Sequence, residues 1–298
     1  MARLSRGAGT GTSPAMADPD IFDRAARRLR RDRAAPRWAD HAFLHDAVVD
    51  GLLDRLAMVS RSFTRAAVIG AADGRLPRAL TGMGMTVTAI DPGARFAALS
   101  GGIQADEDRL PLAPGTIDLI LSPEGLDMVG DLPGALVQIR RSLVPDGLFM
   151  AGFPGAGSLG RLKAALVAGE MAAGGSVSPR VHPQIDVRAA GDLLSRVGFA
   201  LPVADSEPLS VGYPHLPALL ADLRGMAATN ILRDRRPLSR AALAGAIAAF
   251  ADHADADGRV RETFNLIFLT GWAPAPSQPK PARRGSATAS LTQALSRS

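Results

Sequence analysis

Cysteine is absent from all 298 residues, which excludes disulfides, thiolate zinc sites, cysteine nucleophiles and iron–sulfur clusters held by this chain's own thiolates. Long hydrophobic runs are missing too. Stretches such as Leu119 to Leu121 and Leu266 to Leu269 fall far short of the roughly 18 apolar residues a membrane-spanning helix needs, so no transmembrane segment is expected. Hydrophobic residues still make up 47% of the chain, enough to bury the core of one large or two ordinary domains and to predict a soluble globular protein. Lysine is scarce beside arginine, and the formal charge is +5 with a pI near 10.7. Acids are plentiful and the basic excess sits towards the ends, so the core is not that of a nucleic-acid reader and no specific nucleic acid is expected as a partner.

The first 16 residues, MARLSRGAGTGTSPAM, are basic and free of acids, which superficially fits a transit peptide. A disordered tail over residues 1–20, or a true start at Met16, is the preferred reading. Residues 21–62 are expected to form a basic helix followed by an amphipathic one. The first carries Arg24, Arg27, Arg28, Arg30, Arg31, Arg33 and Arg37 and ends near Pro36. Its default reading is a solvated helix face, and docking to a protein partner is its preferred functional use. The second has Phe43, Leu44, Ala47, Val48, Leu52 and Leu56 at helical spacing.

From residue 63 to 272 strands and helices alternate, which predicts a parallel sheet with helices on both faces. Strands are expected at Arg65 to Ile69, Thr86 to Ile90, Ile117 to Ser122, Leu148 to Phe153, Leu201 to Tyr213 and Thr263 to Trp272. Helices fall between them, with insertions over 155–185 and 214–258, and an exposed proline-rich tail is expected over 273–298.

The segment Val68-Ile69-Gly70-Ala71-Ala72-Asp73-Gly74 ends a strand and enters a helix. Glycine at such a turn lets backbone approach a ligand that a Cβ would block. Asp91 closes the next strand at the spacing of an acid that holds ribose hydroxyls. Asp106, in Gln104-Ala105-Asp106-Glu107-Asp108, stands where a third strand should end, and Ile117 to Ser122 opens onto the same crevice. Gly70, Ala72, Gly74, Asp91 and Asp106 are therefore the candidate cofactor-binding residues, for an adenosine-type ligand.

These residues resemble the class I methyltransferase superfamily, whose glycine loop holds the amino-acid part of S-adenosyl-L-methionine (SAM) while one acid takes the ribose and another lies at the adenine. The resemblance implies a Rossmann-like α/β fold with a mostly parallel seven-stranded sheet, an N-terminal helical cap, helical insertions, and SAM as cofactor. Further segments are similar to the methyltransferase-like assembly factors of respiratory complex I. They are Ile21-Phe22-Asp23-Arg24, Leu219 to Met226, Asn230 and Lys280 to Thr288. That family implies a protein partner, a complex I subunit, and its mitochondrial member hydroxylates an arginine. The location implied is the cytoplasm in a bacterium or the mitochondrial matrix in a eukaryote. A non-catalytic assembly chaperone and a small-molecule methyltransferase remain the alternatives.

Departures from the superfamily pattern are Val68 where an acid usually opens the loop, Ala72 at the middle glycine, and Asp127-Met128 where a His-aromatic pair often follows strand four. SAM binding is accordingly expected to be weakened or lost. Glu124 and Asp127 follow that strand and are read as solvated loop acids, or as groups that orient an acceptor or bind a guanidinium. His41 and His45 stand i, i+4 and are read as surface histidines, and His182 as a lid residue. No metal site and no catalytic residue are assigned.

Overall fold

The computed structural model describes residues 20–278. The expected tails at 1–20 and 273–298 fall largely outside these residues, and the Lys280 to Thr288 motif falls wholly outside them. Helix α1 (Arg24–Ala34) leads through a 3-10 segment (Ala35–Asp40) into α2 (Phe43–Ala57). There follow β1 (Arg65–Ile69), α3 (Arg75–Gly82), β2 (Thr86–Asp91), α4 (Ala94–Leu99), β3 (Ile103–Gln104) and β4 (Ile117–Pro123). The second half runs α5 (Leu132–Ser142), β5 (Leu143–Pro154), α6 (Gly160–Ala172), α7 (Val187–Arg196), β6 (Ala200–Tyr213), α8 (Leu216–Gly225), α9 (Arg240–Ala251) and β7 (Val260–Trp272).

Side chains at the helix starts satisfy backbone donors that the helices leave free. Asp23, Asp131, Asp186 and Ser239 cap α1, α5, α7 and α9. His215 does the same for α8, its Nδ1 accepting from the Ala218 N–H at 3.1 Å.

The strands form one seven-stranded sheet in the order β3-β2-β1-β4-β5-β7-β6. All neighbours are parallel except β7, which runs antiparallel to both β5 and β6. Alternate residues of the central strands feed two cores, as a sheet covered on both faces requires. Val68, Leu119, Leu121, Met150 and Phe268 point into the layer made with α2, α3, α6, α8 and α9. Ala67, Ile69, Ile120, Phe149, Phe153 and Leu269 point into the layer made with α5 and α7. The chain leaves β1 towards β2 and β3, then returns across it to β4 and β5. The carboxyl ends of β1 and β4 therefore flank the reversal point, where ligands bind in such sheets.

Candidate functional site

At the end of β1 the loop is shaped for close approach. Gly70 and Gly74 both have φ +82°, and a Cβ at Gly70 would lie 3.2 Å from the Pro123 carbonyl oxygen and 3.3 Å from that of Glu124. The N–H groups of Gly70 and Ala71 both donate to the Ile90 carbonyl, at 2.8 and 3.1 Å, which ties the loop to β2. Ala72 sits at φ +45°, a conformation that costs an L-residue about 1–3 kcal/mol. Its methyl packs into a small cluster with Trp38 and Phe96, so this departure from glycine is absorbed by the N-terminal segment.

Asp91 ends β2 fully buried. Its Oδ1 accepts from Arg31 Nε and the Gly93 N–H, both at 2.8 Å, and its Oδ2 accepts from Arg31 Nη2 at 2.6 Å and the Ala72 N–H at 3.0 Å. A carboxylate offers about four lone-pair sites, and all are taken. Burial works to lower the Arg31 pKa, but the charge and hydrogen bonds of Asp91 outweigh it and hold the guanidinium above its ordinary value.

Asp106 lies two residues beyond β3 and accepts bidentately from Arg28 Nε at 2.9 Å and Nη2 at 2.6 Å. Glu107 accepts from Arg27 Nη2 at 2.5 Å, and Asp108 from both terminal nitrogens of Arg24. Burial pushes the Glu107 carboxyl above its ordinary value, with Arg27 pulling against it. At Asp108 burial also pushes up, but the hydrogen bonds and charge of Arg24 prevail and hold the carboxyl below its ordinary value.

The basic helix is therefore not a solvated face. Arg24, Arg27, Arg28 and Arg31 stand on one side of α1, at i, i+3, i+4 and i+7, and face acids at the ends of β2 and β3. That spacing, together with the acidic run Asp106-Glu107-Asp108, was the available signal for this pairing.

At the end of β4, Glu124 takes a left-handed conformation (φ +65°) that costs a residue with a Cβ, beside Gly125 (φ +95°), which adopts positive φ without that cost. His45 is buried, not at the surface, and its Nδ1 lies 3.1 Å from Glu124 Oε2. His41 pairs instead with Asp222 at 2.8 Å, so the two histidines are not brought together. His182 Nε2 lies 3.2 Å from Asp127 Oδ2, with its ring edge-on to Phe22. Neither loop acid is a freely solvated one: side-chain exposure is 17% for Glu124 and 5% for Asp127. No group of three or more metal-ligating side chains occurs among the described residues.

A cavity of about 200 Å³ is lined by Glu124 and Asp127 together with Arg27, Arg31, Arg180 and His182, and its apolar walls include Leu162, Leu166, Leu223 and Phe264 from α6, α8 and β7. The glycine loop and Asp91 do not line it. The candidate cofactor residues have the chemistry SAM would need, but this conformation does not fit it. Arg31 saturates the acid expected to take the ribose, and Arg28 occupies Asp106 in the same way.

The sheet order and the glycine-bearing crevice define a class I SAM-dependent methyltransferase-superfamily protein. Residues 68–151 match the methyltransferase domain family. The chain of YcgJ from Bacillus subtilis superposes with a TM-score of 0.53 over 76% of this chain and 98% of its own at 14% identity, a likeness of fold alone. Over 284 residues the chain is 34% identical to a protein of Mus musculus named arginine-hydroxylase NDUFAF5, mitochondrial, spanning 91% of this chain and 83% of that one. The Homo sapiens protein of the same name is 32% identical over 91% of this chain and 82% of its own. A malonyl-[acyl-carrier protein] O-methyltransferase of Laribacter hongkongensis is 29% identical over 87% and 93%. The chain belongs to the NDUFAF5 family.

Proposed function

We propose that this chain is a SAM-binding enzyme that modifies an arginine side chain of a protein partner during assembly of respiratory complex I. The observation that carries this reading is the cavity at the end of β4. Its leucine-rich walls suit an aliphatic stem, and Glu124 and Asp127, which share the lining with Arg27, Arg31, Arg180 and His182, are the carboxylates that would take a planar cation there. Its volume of about 200 Å³ is below the roughly 300–1,000 Å³ of sites for drug-sized ligands, which favours one side chain of a partner over a free small molecule. The name borne by the NDUFAF5 relatives agrees with an arginine substrate. Gly70, Ala72 and Gly74 would cradle the cofactor's amino-acid part, with Asp91 at the ribose and Asp106 at the adenine. The protein's own contribution would be to hold the acceptor and exclude water. Action in the cytoplasm of a bacterium, or the mitochondrial matrix of a eukaryote, fits both this role and the absence of any membrane-spanning helix among the described residues.

A second reading, a non-catalytic assembly chaperone, is favoured by the saturated Asp91 carboxylate. Complementation separates the two. A deletion strain carrying Gly70→Trp with Asp91→Ala, expressed and folded, is expected to lose complex I assembly. Assembly at the wild-type level would reject the enzymatic reading and leave the chaperone.

A further inference from the structure

Helix α1 is an unusual element in a molecule otherwise held by apolar layers. Of its eleven residues the buried ones are Arg27, Arg31 and Ala34, and its one large apolar side chain, Leu29, is half exposed. Its middle is fastened by the series of arginine–carboxylate pairs, with Arg31 also over the Phe96 ring, while its ends are held by the Phe22–Leu232 bridge before it and by Ala34 in the Trp38–Phe96 cluster. The acids in that series include both that the cofactor reading assigns to adenosine. We propose that α1 is a displaceable latch on the cofactor crevice: while docked, Arg31 and Arg28 fill the seats of ribose and adenine, and an adenosine-type ligand enters only as α1 lifts away. The proposal rests on the SAM-binding reading above.

Three observations support the exchange. First, competition is forced by stoichiometry, because the four hydrogen bonds into Asp91 leave no acceptor for a ribose hydroxyl until Arg31 withdraws. The two backbone donors, Ala72 and Gly93, remain in place when it does. Second, the helix lies flush on the loop that follows β2. A Cβ at Gly93 would sit 2.8 Å from Arg31 Cβ, so no ligand passes between them. Third, α1 ends in a built-in break. Arg37, at φ −123° and ψ 19°, interrupts the 3-10 segment that begins at Ala35-Pro36, and Trp38 beyond it is anchored against Phe96 and His45. Arg37 is therefore where the latch would pivot without moving α2, the helix being tethered at its other end by the Phe22–Leu232 bridge.

Buried ion pairs gain little net stability, because desolvation of both charges offsets their attraction. A helix held largely by such pairs, with Ala34 its one apolar residue in the buried cluster, is the element most readily exchanged for a ligand that satisfies the same acids. The apparent affinity for that ligand is then reduced by the fraction of molecules in which α1 is undocked.

The absence of native cysteine allows a direct test on the full chain. Nitroxide labels on Leu29→Cys in α1 and Met83→Cys beyond α3, both exposed positions, report their separation by pulsed electron resonance during titration with S-adenosylhomocysteine. The latch predicts a shifted distance distribution at saturation. It also predicts that Arg28→Ala with Arg31→Ala tightens S-adenosylhomocysteine binding at least tenfold in calorimetry. Because loss of Arg31 leaves Asp91 buried without its partner, Arg24→Ala with Arg28→Ala, which touches only the more exposed pairs, is the second variant and should tighten binding to a smaller degree. Binding to the wild type with an unchanged distance, or variants that bind no more tightly, overturns the latch while leaving the cofactor reading intact. No binding by the wild type or by either folded variant overturns the cofactor reading, and the latch with it.

Discussion

The acids at the ends of β2 and β3 are close in sequence and space, yet their surroundings differ. Asp91 is buried among four donors, Glu107 is buried against one guanidinium, and Asp108 keeps part of its contact with water while Arg24 grips both oxygens. For Asp108 the sign of the pH dependence follows from its lowered pKa. The folded state holds its proton less tightly than the unfolded chain, so the stabilisation is fully present above the ordinary value of 3.8 and is lost as pH falls through the lower folded value. Asp108→Asn should therefore destabilise the protein by a constant amount above about pH 5, a margin of one unit over the ordinary value. The gap to wild type should close below pH 3.8, read as chemical-denaturation midpoints across pH 2–7. A gap that stayed constant down to pH 2 would place the pair's contribution elsewhere.

At the scale of elements, α6 and α9 cross at small residues. A Cβ on Gly169 would collide with the Ala242 carbonyl oxygen, and one on Gly245 would lie 3.0 Å from Gly169 Cα. The facing residues are backbone and alanine, which have no flexible end to move aside. Gly169→Ala should then lower unfolding free energy by about 1–3 kcal/mol, the usual cost of overpacking, despite the gain in helix propensity. An unchanged or raised stability in urea titration would mean the two helices separate easily.

Elements also differ in how far the sequence discloses them. The central strands are legible because apolar runs bounded by glycine and aspartate turns leave few alternatives to buried parallel strands. The crevice is legible for the same reason, since Gly70, Gly74 and Asp91 are fixed by strand ends. The role of α1 is not. Its arginines are visible as a cluster, but their partners stand 60 to 84 residues further along the chain, and helix periodicity carries no information about what a charged face meets. His45 misleads similarly: its spacing from His41 suggests a shared surface, whereas α2 begins only at Phe43 and the two rings turn to Glu124 and Asp222.

Over the whole molecule, the reversal of strand order at β1 and β4 puts two features side by side. One is the glycine crevice, closed by α1, and the other is the Glu124–Asp127 cavity beneath α6 and α8. Arg27 and Arg31 border that cavity while pairing with acids of the crevice wall, so the docked helix forms part of the wall between them. Substrate recognition and cofactor access would accordingly share one mobile boundary. The most direct measurement of the functional claim is peptide mass spectrometry of complex I subunits from three strains: wild type, deletion, and deletion carrying Glu124→Gln with Asp127→Asn. The account predicts an arginine bearing an added methyl group or oxygen atom in the first strain only. Identical arginine-containing peptides in all three strains would contradict it.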